Sequence, residues 1–259
     1  MNDTKAPRSV PARPVAEVPA GGDVPGVVHP EWQERWPWLV QGLTTPGPNR
    51  DRDFGLFGHG PARGVVERWQ SLVATSGMTG VALAGQVHGR EVRTHAVVRP
   101  GLLVGPPADA HVTREAGLLV AVTVADCVPA FLVAERGREV AMVHAGWRGA
   151  AAGILERAVT VMGERFGTSP GELALHLGPS ICGACYEVGA EVHEALGLPV
   201  PDGPTPVDLP ANLAGRARDL GIPDAEITRS TWCTLCGPED LFSHRGGDAG
   251  RQIGFLGVR

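Results

Sequence analysis

Between Leu118 and Val124 nearly every position is apolar, and "VPAFLVAERGREVAMVHAG" (Val128–Gly146) repeats that pattern on both sides of a polar Arg136–Gly137 turn. Apolar runs this short, rich in valine and bounded by turn residues, predict three strands, the last two joined as a hairpin. Continuous rather than alternating apolarity implies a sheet covered on both faces. After His144 the period changes: Ile154, Leu155, Ala158, Val161 and Met162 fall at helical intervals, predicting one helix through "WRGAAAGILERAVTVMGERFG". "ARGVVERWQSLVATSG" puts Val65, Val66, Trp69, Leu72 and Val73 on one helical face, with Gly77 as its C-cap. Further strands are predicted in "GVALAGQVHG", "LALHLG", "AEITRSTWCT" and "GRQIGFLGV". Helices are predicted in "GAEVHEALG" and "LPANLAGRARDLG". Strands and helices mix without a regular βαβ alternation, so the expectation is one α/β domain with a mixed sheet and helices outside it.

Composition adds boundaries and exclusions. Residues 1–28 are rich in Pro, Ala and Val without periodicity and read as a disordered arm. The aromatic cluster "PEWQERWPWLVQGLTT" marks where packing begins, and residues 29–259 show no repeat and no clean linker. With 259 residues, 43% of them hydrophobic, the chain can bury a sizeable core. Its net charge of −5, with no block of Lys or Arg, argues against a nucleic-acid partner. No apolar run nears the roughly 20 residues that span a bilayer, and the start lacks the apolar core of a secretory signal. The expectation is a cytoplasmic protein, monomeric or a small homo-oligomer.

Five cysteines, an odd number, argue against a disulfide framework. Four form two C-x-x-C pairs, Cys182 with Cys185 and Cys233 with Cys236. Such pairs can hold a closed structural zinc, but the stretch between them exceeds ordinary finger spacing, and we read the four as thiols lining a pocket wall. Cys127, after "VTVAD", stands alone at a strand exit. A lone cysteine is commonly a small buried hydrophobe; here Asp126 precedes it, and the hairpin brings it near His144. In "MVHAGWRGAAAG", Gly146 and Gly149 allow a tight turn and close approach of a ligand. Arg148 and the first-turn N–H groups favour an anion such as phosphate. A capped helix with an ordinary surface arginine is the competing reading. His88, in "GQVHGRE" beside Gln86, is a third group of the same kind. His88, Cys127 and His144 together could form a three-ligand zinc centre with an open position, or Cys127 and His144 alone a nucleophile and its base, as in a cysteine hydrolase or deamidase. A second histidine within reach of the sulfur discriminates, because only the metal requires it.

The segments "LAGQVHGREV", "TVADCVPAFLV", "VAMVHAGWRGAAAGIL", "LGPSICGACYEVG" and "CTLCGPEDLFSHRGGDAGRQIGFL" follow one another as in the laccase-domain, or "multicopper polyphenol oxidase", family, which the chain resembles from about Trp38 onward. Members of that family are regarded as zinc-dependent purine nucleoside phosphorylases that also deaminate adenosine. The resemblance implies a layered α/β/β/α fold with mixed sheets, distantly like that of cysteine hydrolases, in a single catalytic domain over residues 29–259. It implies one catalytic zinc on His88, Cys127 and His144, phosphate as co-substrate, and adenosine, inosine, guanosine and, at the edge of that range, methylthioadenosine as nucleosides. Arg148 and Asp126 join the catalytic set, with Gln86, Gly149, Tyr186 and Arg245 on the substrate side. The chain departs from the family where "FTTR" becomes "LTTPG" (Pro46 for arginine), where "SLNL" becomes "DFGLFGHGP", and where "FSYRR" becomes "FSHRG".

The family's older name can be tested physically. A blue-copper centre needs two His, a Cys and a weak axial Met, and Met142 lies two residues before His144. Laccase chemistry also needs clustered histidines, whereas none of the nine here forms an H-x-H pair. Copper oxidase chemistry is therefore disfavoured and Met142 is assigned to the core. "HPE" (His29–Glu31) with "CGAC" imitates the zinc-deaminase signature, but Ile181 stands where that signature needs proline.

Overall fold

A computed structural model describes residues 12–20, 26–58, 62–238 and 240–259. Two mixed sheets of seven strands each form its centre. In the first, the strands run in the order β1 (Arg13–Val15), β15 (Ile227–Ser230), β12 (Leu173–Leu177), β10 (Val128–Ala134), β11 (Glu139–Ala145), β8 (Ala110–Thr113), β6 (Val92–His95). In the second the order is β2 (Val18–Pro19), β3 (Gly26–Val28), β4 (Leu39–Thr44), β16 (Gln252–Val258), β9 (Leu118–Val124), β5 (Gly80–Ala84), β7 (Gly101–Gly105). A small ribbon pairs β13 (Glu187–Val188) with β14 (Thr205–Pro206).

Alternation along the central strands builds the layers. On β10, Phe131 and Val133 face the second sheet, as do Val140 and Met142 on β11, where they meet Val120, Val122 and Val124 of β9 and Leu256 of β16. The opposite faces of β10 and β11 (Ala130, Leu132, Ala141, Val143) pack against α4 (Ile154–Phe166) and the helix Leu209–Asp219. The outer face of the second sheet (Val81, Leu83, Leu119, Ala121, Ile253) is covered by Val65, Trp69, Leu72 and Val73 of α2 (Ala62–Ser76). The result is an α/β/β/α sandwich, which explains why these strands are apolar at successive positions: both of their faces are buried. Met142 is wholly buried between the sheets, where its side chain packs at Gly254.

Two expectations are revised. Residues 12–20 and 26–28, assigned to a disordered arm, contribute β1, β2 and β3 at the sheet margins and bury Val15, Val27 and Val28. Strands of two or three residues are too short to show a period, so the sequence pattern concealed them; the rest of that arm, residues 1–11 and 21–25, lies outside the described residues. The single helix expected after His144 is two, α3 (Trp147–Ala152) and α4, because Gly153 adopts the left-handed φ of 82° between them. His29, whose likeness to a deaminase motif was discounted, is buried as the N-cap of α1 (Pro30–Arg35), where it accepts from the Trp32 amide.

Candidate metal centre

The site forms where the chain passes from one sheet to the other. β5 and β9 are parallel neighbours, so their C-terminal ends lie side by side. β5 leads through residues 85–91 to β6, while β9 leads through residues 125–127 to β10, each in the first sheet. His88 stands in the first crossover and Cys127 in the second. His144 reaches them from the end of β11, where antiparallel pairing sets it opposite Pro129, two residues beyond Cys127. The Cys127 Sγ lies 4.0 Å from His88 Nε2. One ligand atom from each of His88, Cys127 and His144 lies within 4.8 Å of the others. The two imidazoles meet edge to face at 4.8 Å between centroids. Two imidazoles and a thiol converging this closely form a borderline-soft donor set suited to zinc.

Asp109, which the sequence reading did not single out, organises this trio. It is 0% exposed and stands one residue before β8, whose pairing with β11 brings it against His144. Its carbonyl accepts the His144 amide at 2.7 Å, and its Oδ1 accepts from His144 Nδ1 at 2.9 Å. The ring is thereby held with Nδ1–H on the carboxylate and Nε2 free to act as donor atom. The same carboxylate accepts the amides of Val87, His88 and Gly89 at 3.3, 2.9 and 2.8 Å. Those bonds fix the turn in which His88 takes a φ of 57°, a conformation that few non-glycine residues adopt. Gly146 closes the back of the site: a Cβ there would stand 2.9 Å from the Cys127 sulfur and 3.0 Å from the His88 ring.

Charge follows from this packing. Burial pushes the Cys127 thiol up, but His144 and His88 outweigh it and hold its pKa at about 6. Burial lowers His144, yet Cys127 and Asp109 together raise it to about 9. Burial also opposes the charge on Asp109, and the His144 ring with the amides of Gly89 and Val87 nevertheless holds it below the usual carboxylate range. The trio is therefore built for a thiolate, and a cation seated among the three donors would displace the imidazolium proton, since a ligating ring is neutral.

The other anticipated residues fare differently. Asp126, at a φ of 81°, does not orient an imidazole; its Oδ1 accepts from Thr234 Oγ1 and its Oδ2 from the Arg245 amide, each at 2.6 Å. The carboxylate on the ring is Asp109, which no local motif announced. Gln86, expected to contact substrate, spends its side-chain amide on Thr123, donating to the carbonyl at 2.8 Å and accepting from the amide at 2.7 Å, so it clamps the β5 exit to β9. Gly149 is buried, and a Cβ there would approach the Gly89 carbonyl at 3.1 Å, so its smallness serves packing of α3 on the His88 turn. Arg148 is exposed on the first turn of α3, with its guanidinium 4.3 Å from the Trp147 ring centroid, and makes no ion pair among the described residues. Arg245 lies 5.5 Å over the Tyr186 ring and donates to the Glu187 carbonyl at 3.0 Å. Burial and the nearby Cys127 sulfur raise the Tyr186 phenol to about 12, which keeps it neutral as a wall of the site.

Two mixed sheets packed face to face between helices, with His, Cys and His donors gathered at the crossovers, define a layered α/β protein with a compact centre able to bind a metal. The profile of the family described as multi-copper polyphenol oxidoreductase laccase matches residues 45–259, and the chain belongs to that family. Among curated relatives, a purine nucleoside phosphorylase of Xylella fastidiosa is 37% identical over 206 residues, covering 74% of this chain and 76% of the relative. The purine nucleoside phosphorylase YlmD of Geobacillus stearothermophilus is 33% identical over 208 residues, covering 75% and 73%. The crystal structure of YlmD from Geobacillus stearothermophilus superposes with a TM-score of 0.82 at 28% identity, covering 96% of this chain and all of that one. YfiH of Bacillus licheniformis, at 23% identity and a TM-score of 0.81, shares the fold. No helix among the described residues is long and apolar enough to cross a membrane.

Proposed function

We propose that this protein is a zinc-dependent purine nucleoside phosphorylase that also deaminates adenosine. The observation that carries the reading is the convergence of His88, Cys127 and His144 over a buried carboxylate and a glycine that leaves them room; the names of the relatives give the substrate class. His88, Cys127 and His144 would hold the ion, which when bound supplies Lewis-acid polarisation and acidifies water near neutral pH. Asp109 keeps the His144 ring in one tautomer and holds the His88 turn, so neither imidazole reorganises during turnover. Arg148, exposed and without an ion-pair partner among the described residues, offers a cation for phosphate. The short α3, six residues long, adds little macrodipole, so the guanidinium carries that task. Tyr186, with Arg245 stacked above it, presents a flat face suited to a purine ring.

A second reading has one observation in its favour: a thiol held at about 6 beside a histidine raised to about 9 also suits a cysteine nucleophile with its base. His88 at 4.0 Å from the sulfur favours the metal, because a nucleophile–base pair has no use for it. The test is turnover of adenosine and inosine with and without phosphate, by wild type, Cys127→Ala and metal-stripped enzyme. Expected are hypoxanthine release from inosine that requires phosphate, phosphate-independent conversion of adenosine to inosine, and loss of both on metal removal with recovery on adding zinc. Hypoxanthine release that ignores phosphate would overturn the phosphorylase assignment. Full activity of the stripped enzyme would transfer the reaction to the thiol.

A further inference from the structure

The four cysteines outside this centre are not spread along a wall. Cys182 and Cys185 lie in the turns after β12, Cys233 and Cys236 in the turns after β15, and all four Sγ atoms stand within 4.8 Å of one another. Cys182 Sγ and Cys236 Sγ, 54 positions apart in the chain, are separated by 3.8 Å. Four thiolates at about 2.3 Å around a tetrahedral zinc have edges of about 3.8 Å. The backbone is shaped for the same purpose. Amides of Cys182, Leu235 and Cys236 point at Cys233 Sγ at 3.3, 3.4 and 3.5 Å, donors that offset the negative charge of a ligating sulfur. The Gly237 amide closes the second turn on the Cys233 carbonyl at 3.1 Å, and a Cβ at Gly237 would come within 2.4 Å of that oxygen. An isolated bridge between Ser180 and Cys233, with the Thr234 amide donating to the Ser180 carbonyl, holds the two turns side by side.

We infer that Cys182, Cys185, Cys233 and Cys236 form a second, closed zinc site that staples these two turns together. These four residues are separate from His88, Cys127 and His144, so the Cys127→Ala protein reports on them whatever the other centre holds. Its physical purpose lies in residues 231–251, between β15 and β16, which hold no helix or strand among their described members. Irregular segments of this length inside a packed domain need a constraint of their own. This one supplies Thr234 and Arg245, whose hydroxyl and amide bracket Asp126 beside Cys127. A zinc cross-link between turns so distant in sequence restrains the segment at its root and keeps that bracket in place.

The test compares full-length wild type, Cys127→Ala and Cys236→Ser proteins, produced with zinc and purified under reducing, chelator-free conditions. Metal analysis is expected to find about two zinc ions per chain in wild type and about one in each variant. Cobalt-substituted Cys127→Ala should show the intense thiolate-to-cobalt bands of a tetrahedral four-sulfur site, and Cys236→Ser should lack them. Should Cys236→Ser fail to fold, the Cys127→Ala protein suffices: stepwise titration with a mercurial should release its zinc as its four remaining thiols are consumed. Cys127→Ala protein without bound zinc, with freely reactive thiols, would overturn the site. So would a pair of disulfides in its mass, or the visible spectrum of thiolate-bound iron.

Discussion

Asp109 does the most with the least advertisement: one buried carboxylate accepts the His144 ring and three turn amides. Asp109→Asn keeps the size but offers an NH2 group where an acceptor is needed, so His144 loses its fixed tautomer. Zinc affinity at the His88–Cys127–His144 centre should fall about 10- to 100-fold, as for other carboxylates behind a ligating histidine, and turnover should fall with it; competition with a metal indicator measures the first. Unchanged affinity would show that Asp109 does not position His144. Gly146→Ala makes a complementary case, because its Cβ would stand 2.9 Å from the Cys127 sulfur. Metal binding and activity should drop while the thermal transition moves little, since the added methyl meets the site rather than the core. Cys127 and His144 were legible as candidates from strand exits and a glycine turn. Asp109 was not, because nothing within "PPADAHV" reveals that the strand it precedes pairs with the one ending in His144.

At the scale of elements, the strands and helices that carry long apolar patterns lie where their periods predict. β9, β10, β11 and α4 bury the expected residues, and α2 buries all of its expected face except the half-buried Val66, whereas β6 and β7, half-exposed and only four and five residues long, left no trace strong enough to read. The break between α3 and α4 shows a local rule overriding a helical period: Gly153 takes a left-handed φ of 82° within an otherwise continuous apolar stripe. Gly153→Ala should cost about 1–2 kcal/mol, the penalty for placing a side chain in that conformation, and denaturant titration with an unchanged m-value would check it. Metal content should not change, because Gly153 lies beyond the first turn that carries Arg148. A neutral or stabilising effect would mean that the two helices merge readily into one.

For the whole molecule, acid is the expected weakness. His29 and His111 are buried, and burial first, with neighbouring His176 and His95 respectively, lowers each pKa from 6.5 to about 3. Between those limits the unfolded chain binds protons that the folded chain refuses. Stability contributed by these neutral rings is therefore complete above about pH 6.5 and declines as pH falls toward 3. Thermal melting temperatures should drop steadily from pH 7 to pH 4, and His111→Gln should flatten that slope even if it lowers stability at neutral pH. A melting temperature independent of pH over this range would show that these rings titrate normally in the fold.

Apolar period, turn residues and the donor types at strand exits are properties of local sequence, and they determined the α/β class, the main central strands and helices, and the candidacy of His88, Cys127 and His144. Whether candidates meet depends on strand order, register and the crossovers between sheets, which relate residues far apart in the chain. Only the tertiary structure could therefore bring Asp109 behind His144, turn Gln86 and Asp126 into clamps, recruit residues 12–20 as sheet margins, and gather four cysteines that spacing alone had left apart. A side chain's chemistry is inherited from its residue type, but its partners are assigned by packing.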